Sequence, residues 1–460
     1  MKYENLNKFK NNFTDYTELR VQENRNNRLN LTNGDVTGNV STKTSGVSAR
    51  VYKDGSWGFS SSPNINDENI NNVINSSTEN MQFMYKKDEN KCGFYLPQTQ
   101  SNHEMNFTTT KNRQEQKYWL EFVKEIDGYI EKKYPELLSR NLVMGELDME
   151  KSLFTSDGSE SYSMTPRALL YAMLSIEKDG SPISIGNPWG GLGQLEDKFL
   201  EPSNYFMEID DLVEKLKQKA NGIHANAGYK DVILDADLAG ILAHEAIGHT
   251  TEADLVMGGS IAGDFVNQKV ASELVTLIDY ANTCDGKICP VPVYVDDEGT
   301  KSEDVTIIKD GILKTFMHNK DSARHFNVKP TGNARAYEFS DEPLIRMRNT
   351  AFVPGKHTLE EMISSIDDGY YLVKTGNGQA DSTSEFMFAI TMGYEIKNGK
   401  LGKAIKDTTI SGIAFDVLKT VDMVSSDMSW SSAGMCGKKQ IIPVGMGGPA
   451  IKCKVNIGGR

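Results

Sequence analysis

The segment AHEAIGHTTEAD, Ala243 to Asp254, gathers residue types that bind metals: His244 and His249, with Glu245 beside the first. It departs from the short metal-binding pattern His-Glu-x-x-His by one additional residue between the imidazoles. Two neutral imidazoles can hold Zn2+, which lowers the pKa of a bound water to about 7. A neighbouring carboxylate can then take the proton as that water attacks a carbonyl, and Glu245 is the candidate base. The spacing is the difficulty. Residues on a regular helix turn about 100° each, so the two imidazoles diverge by roughly 140° while Glu245 and His249 share a face. A π-type turn or a loosened last turn absorbs the extra residue, and such bulges are frequent at functional sites. Gly248 stands directly before His249, where a residue without Cβ leaves helical geometry cheaply. An ordinary helix carrying two hydrogen-bonded histidines is the competing reading, and twelve residues do not separate the two.

A catalytic zinc normally has three protein ligands and an open position, so a third ligand is required. Cys436 sits between glycines in SAGMCGKKQ, as an accessible loop residue would. Cys453 alternates with lysines in IKCKV and reads as a core strand residue. Cys284 and Cys289 in CDGKIC lack a second pair at zinc-finger spacing and read as structural. His318 and His325, seven apart in FMHNKDSARH, read as satisfied polar positions. Asp296, Asp297 and Glu298 in VDDEG read as turn carboxylates, with a contact to a substrate amine as the alternative. By residue type Cys436 leads several candidates.

The elements that must position these residues are legible in outline. Asp235 or Asp237 can cap a helix whose apolar positions are Leu238, Ile241 and Leu242. Ahead of it DVILD reads as a strand. Asn33-Gly34, Asp54-Gly55, Asp157-Gly158, Asp310-Gly311 and Asn398-Gly399 mark hairpin turns between alternating runs. Ile70, Val73 and Ile74 give a polar surface helix. Trp119, Phe122, Val123, Ile126 and Ile130 give an amphipathic one ending before Pro135. GNPWGGLGQ, Gly186 to Gln194, reads as a Gly-rich loop, and DDLVEKLKQKANG as a helix closed by Gly222. VPVYVDDEGT, DVTIIKDGILKTFM, YYLVKTGNGQ, EFMFAITMGYEIKNGKLG and AIKCKVNIGG make the second half β-rich. The expected class is α+β: a mixed N-terminal domain over residues 1–222, with a sub-boundary near 110, and a largely antiparallel β-rich domain over 223–460 carrying the His-Glu-x-x-x-His helix.

Bulk properties narrow the function classes. A chain of 460 residues exceeds one typical core. A formal net charge of -13 opposes non-specific nucleic-acid binding, which needs Lys and Arg to neutralise phosphates. No run approaches eighteen apolar residues and the N-terminus carries no apolar signal region, so no membrane association and a cytoplasmic location are expected. Five cysteines, an odd and small number, fit a reducing compartment.

Several segments taken together resemble the TldD/PmbA family, on its metal-bearing TldD side. They are HEAIGHTTEADL, VDDEG, PLIRMRNT, KTGNGQAD, FMFAITMGYEIKNGK, VDMVSSDM and GMCGKKQIIPVGMGGPA, in the family's order across most of residues 230–450. GSWGFSS and the helix from Gln116 match more loosely, and YEFSDE before Pro343 departs from the family pattern. The resemblance implies a zinc-dependent peptidase with one Zn2+ per active chain, held by His244, His249 and Cys436, with Glu245 as the catalytic base. It also implies cleavage of unfolded or short peptides, and a dimer, either with itself or with a PmbA/TldE-like chain lacking the histidine pair. A non-catalytic peptide-binding or modulator subunit of such a complex is the alternative; a hydrolase of a non-peptide amide shares the same zinc chemistry. A β-rich domain can accept an extended peptide as an added strand. GNGQ and the run from Phe386 to Ile396 are the expected edges, with Gly376 and Gly378 permitting close approach or simply forming a turn.

Overall fold

The computed structural model of the chain describes residues 3, 5–88 and 95–458; Cys92 lies outside them. In chain order the first half contains β1 (Tyr16–Thr32), β2 (Asp35–Lys53), β3 (Ser56–Ser62), α1 (Asp67–Lys87), β4 (Asn102–Asn106), α2 (Gln116–Lys133), β5 (Ser139–Thr155), β6 (Glu160–Lys178), β7 (Ser181–Leu192), α3 (Leu195–Lys198) and α4 (Phe206–Ala220). The strands form one sheet in the order β3-β2-β1-β5-β6-β4, with β7 also on β6. Its tight connections are the expected dipeptides. Asn33-Gly34 has φ 51 and 85, and Asp54-Gly55 has φ 48 and 95, the left-handed pair a two-residue hairpin turn requires. Asp179-Gly180 and Asp285-Gly286 repeat the geometry at two places the sequence reading passed over.

Alternation along β5 divides its residues between two environments. Leu142 and Met144 point into a core with Leu170, with Trp119, Phe122 and Ile126 of α2, and with Leu212 and Leu216 of α4. The odd-numbered Leu147, Met149 and Lys151 are half-buried and lie opposite Arg167, Thr165 and Ser163 of β6. Ile70, Val73 and Ile74 of α1 pack on Leu19, Val21, Val47 and Ala49. Met392 and Ala404, from the second half, complete the core under α2 and α4.

GNPWGGLGQ is not a loop. Residues 181–192 pair with β6 in continuous register from Lys178–Ser181 to Arg167–Leu192. Added Cβ atoms at Gly186 and Gly190 would run into the Tyr171 side chain and the Ala168 carbonyl, so these glycines answer to close strand packing. VPVYVDDEGT is not a strand either. Asp296 Oδ1 accepts the backbone N–H of Glu298 at 3.0 Å and of Thr300 at 2.9 Å, folding the segment into an Asx-type turn.

The second half is α+β and largely antiparallel, as expected. Five strands pair into a closed ring: Asp368–Ala380, β8 (Gly228–Leu234), Ile451–Ile457, Thr408–Ile413 and Glu385–Lys397, which returns to the first. The run Phe386–Ile396 therefore has strands on both sides and is not an edge. Residues 374–380 pair with it on one side, and among the described residues no strand pairs with their other side. Gly378 is in a strand, not a turn; a Cβ there would strike the Phe388 ring. Cys453 is a buried strand residue within the ring, as its alternation predicts. Among the described residues no helix is long and apolar enough to cross a membrane.

Candidate metal centre

The chain leaves β8 at Leu234 and turns directly into α5 (Ala236–Ile241), with Asp235 at the cap position. The Asp235 side chain makes no capping bond, so the helix is secured by packing: Leu238, Ala239 and Leu242 are fully buried. A Cβ at Gly240 would lie 2.6 Å from Gly447 N, so only glycine lets this helix approach the strand Gly445–Gly448 so closely. From Leu242 to Gly248 the helix widens to π geometry, and the His249 N–H donates to the His244 carbonyl five residues back. A five-residue interval is one π turn, so the two imidazoles come onto one side with ring centroids 5.2 Å apart and planes at 79°. This is the turn the extra residue demanded.

Gly248 serves it differently from expectation. Its φ of -57° and ψ of -53° are ordinary helical values that any residue adopts. Glycine is needed because a Cβ would sit far inside contact distance of Met347 Sδ, with Ala243 O at 3.2 Å. The constraint is packing, not backbone freedom.

Cys436 arrives from 187 residues away and stands 3.3 Å from His249 Nε2. It lies on Met435–Lys438, hairpinned against Gln440–Pro443. The ligand atoms of His244, His249 and Cys436 all lie within 4.8 Å of one another. Three buried guanidinium groups grip this hairpin and its approach by backbone carbonyls. Arg346 donates to Cys436 O at 2.6 Å and Gln440 O at 2.9 Å, Arg335 to Pro443 O at 2.8 Å, and Arg167 to Gly434 O at 3.2 Å. Burial alone would raise the Cys436 thiol, yet the imidazoles of His244 and His249 beside it bring it down to about 4. Burial would likewise lower His249, and its bonds to Cys436 and Glu252 lift it to about 10 instead.

Glu252 and Lys438 were not singled out from the sequence. Glu252, fully buried, takes His249 Nδ1 at 3.1 Å and Lys438 Nζ at 3.1 Å on the same oxygen. The first bond fixes the ring so that Nε2 faces Cys436, the role carboxylates play behind metal-ligating histidines. The signal available was His-Thr-Thr-Glu: a carboxylate three residues beyond a histidine lies within reach on a helical turn. Glu245 Oε2 lies 3.6 Å from His249 Nε2, with its side chain 28% exposed, so it borders the three ligand atoms and also reaches solvent.

The donor set fits a cation. Both ring nitrogens of the fully buried His244 lack a hydrogen-bond partner among the described residues. Leaving such a group unpaired costs about 1–3 kcal/mol, which a metal bond would remove. The remaining candidates are elsewhere engaged. Cys284 and Cys289 are buried in a separate small cluster. His318 bonds Ser322 Oγ at 3.1 Å, and His325 is on the helix Lys320–Phe326. Asp296 and Asp297 accept the N–H groups of Ala334 and Ala336, and Glu298 that of Lys320.

A profile described as the PmbA/TldA metallopeptidase C-terminal domain matches residues 227–459, and the domain 1 profile matches 17–80. A metalloprotease of Methanocaldococcus jannaschii is 32% identical over 95% of this chain and 96% of its own length. The chain belongs to the PmbA/TldD metallopeptidase family. Another family member, a zinc metalloprotease TldD homolog of Saccharolobus solfataricus, is 30% identical over 90% of both chains. The solved structure of TldE from Thermococcus kodakarensis shares the fold, with a TM-score of 0.77 at 18% identity over 99% of each chain. The family's C-terminal domain is thus the part of this chain that contributes His244, Glu245, His249 and Cys436.

Proposed function

We propose that this chain is a zinc-dependent peptidase that hydrolyses peptide bonds in unfolded or short peptides. The observation that carries the reading is the convergence of His244, His249 and Cys436 ligand atoms within 4.8 Å, with Glu245 at the rim. Two imidazoles and a thiolate favour zinc among divalent metals. His244, His249 and Cys436 would hold the ion, which would supply Lewis acidity and a bound water of lowered pKa. Glu245 accepts the proton of the attacking water and returns it to the leaving amine. Glu252 holds His249 in the tautomer that turns Nε2 toward the site. Residues 374–380, with one strand side open, offer main-chain hydrogen bonds to an extended peptide regardless of its side chains. A folded substrate has its own strands paired and gains nothing from that edge.

The companion is a second chain of the same family, either a copy of this one or a TldE-like subunit; a cytoplasmic location and the division of the chain at residues 222 and 223 complete the reading. The test pairs metal analysis with cleavage of an unstructured peptide by native protein, Glu245→Gln and Cys436→Ser. Glu245→Gln retains zinc and loses about 10²–10⁴-fold in turnover, and Cys436→Ser loses zinc. Equal turnover by native protein and Glu245→Gln would remove Glu245 from the chemistry, and full zinc occupancy in Cys436→Ser would move the third ligand elsewhere.

A further inference from the structure

A cavity of about 80 Å³ lies between the β5–β6 sheet and the irregular segment from Pro290 to Asp297. Its floor is the half-buried face of the sheet, with Leu147, Met149 and Lys151 opposite Arg167, Thr165 and Ser163. Its roof is apolar, with Val291, Val293 and Tyr294 among its residues, and Tyr294 stacks on His103 at 4.6 Å. None of the residues assigned above to metal or proton transfer lines it.

Arg167 is the anomaly here. It is 6% exposed and spends only Nη1, on Gly434 O; its Nε and Nη2, both buried, have no hydrogen-bond partner among the described residues. Burial pushes its pKa down to about 10, and no carboxylate opposes that effect. An unpaired buried cation of this kind is expensive unless something pairs with it.

The unused atoms define what that something is. Nε and Nη2 form one edge of the guanidinium, with two parallel N–H bonds matched to the two oxygens of a carboxylate. This chain uses the same edge twice elsewhere: Arg140 Nε and Nη2 grip Asp127 at 3.0 and 3.2 Å, and Arg50 Nε and Nη2 grip Glu18 at 2.9 and 3.2 Å.

The rest of the lining favours an anion with an apolar body and offers little to an ammonium. Lys151 is bonded to Asp297, and Arg335 meets only carbonyls, those of Met347 and Pro443. Asp296 is occupied by the N–H groups of Glu298, Thr300 and Ala334, and Asp297 by Ala336 and Lys151.

We propose that this cavity is a carboxylate-binding pocket in which the Nε–Nη2 edge of Arg167 holds the free C-terminal carboxylate of a peptide, with an apolar terminal side chain against Met149 and Val293. It rests on the peptidase reading only for which molecule brings the carboxylate; the pocket itself stands on Arg167 and its surroundings.

Calorimetric titration of the purified, metal-loaded protein with three small probes tests it. N-acetyl-leucine carries the carboxylate without an ammonium, N-acetyl-leucinamide lacks the carboxylate, and leucine adds the ammonium. N-acetyl-leucine binds, the amide binds at least tenfold more weakly, leucine binds more weakly than its acetyl form, and Arg167→Met removes the difference between acid and amide. Should Arg167→Met fail to fold, Val293→Phe, which narrows the cavity and leaves the guanidinium in place, weakens N-acetyl-leucine at least tenfold. Equal binding of acid and amide, no binding of the acid, or unchanged binding in the variant that folds would overturn the pocket. Leucine binding as tightly as N-acetyl-leucine would overturn its assignment to a peptide end. Acid binding that survives Arg167→Met and vanishes with a chelator would belong to the metal centre, and also overturns it. A protein inactive on every peptide that still binds the acid through Arg167 keeps the pocket and loses only the peptidase reading.

Discussion

Replacing Gly248 by alanine separates two accounts of the widened helix by the sign of a single measurement. If glycine served backbone freedom alone, then at φ -57° the substitution would stabilise the helix, because alanine is favoured over glycine there by about 1 kcal/mol. Packing predicts the opposite. The new Cβ needs about 3.5–4.0 Å from its neighbours, and Met347 Sδ must retreat by more than about 1 Å to allow it. Met347 is fully buried and cannot swing into solvent. Overpacking of this kind costs about 1–3 kcal/mol, so Gly248→Ala loses that much in urea unfolding. The strain falls on the residue before His249, so zinc affinity falls as well. The control is Met347→Ala, which removes the obstruction. Combined with Gly248→Ala, it should give a double variant more stable than the sum of the two single effects by about 1–3 kcal/mol. A stabilised Gly248→Ala, or effects that add within about 0.5 kcal/mol, would refute the packing account.

Glu252→Gln keeps the shape of the side chain and loses the charge behind His249, so zinc affinity falls about 10–100-fold while the unstructured peptide is still cut when zinc is in excess; unchanged affinity would show that Glu252 does not support the ring. His318 gives a pH signature. It is 2% exposed, and burial lowers its pKa from 6.5 to about 4. Above pH 6.5 the ring is neutral folded and unfolded. Below that the unfolded chain takes up a proton the folded one refuses, so stability is lost as pH falls from about 6.5 toward 4, on the order of 3 kcal/mol at most. Urea unfolding of His318→Gln at pH 7 and pH 4.5 should therefore show a smaller acid loss than native protein; parallel losses would contradict the burial effect.

What the sequence made legible was mostly local. Asn-Gly and Asp-Gly turns need only two residues with positive φ, and every such pair read as a hairpin turn has it except Asp157-Gly158, where only the glycine does. The π turn was legible because two imidazoles five apart on a helix have few other ways to meet. The misreadings have a common physical source. Glycines in GNPWGGLG resemble a loop, but a glycine required by a neighbouring strand's carbonyl looks the same in one dimension as a glycine required by a turn. VPVYVDDEG has the composition of a strand, but Asp296 captures the N–H groups of Glu298 and Thr300, Asn349 Oδ1 takes that of Val291, and Pro292 has none to give.

The thiolate half of the site was visible only as a residue type. Two features position Cys436: a hairpin turning at Lys439, with φ 58, and guanidinium groups that begin 90 residues upstream for Arg346 and 267 residues separate Arg167 from its carbonyl at Gly434. Neither leaves a local pattern, because an arginine that donates to a carbonyl needs no partner side chain whose identity could be read. The choice of carbonyls has a consequence for the metal. Arg346 donates to the Cys436 carbonyl and, among the described residues, makes no ion pair, so its positive charge stands near the thiol without a carboxylate against it. Replacing Arg346 with methionine therefore removes both the grip on the hairpin and part of the field that favours the thiolate. Lysine restores the charge without the two-pronged geometry. Zinc affinity that falls with methionine and recovers with lysine would identify charge as the dominant contribution; equal loss in both variants would identify the grip.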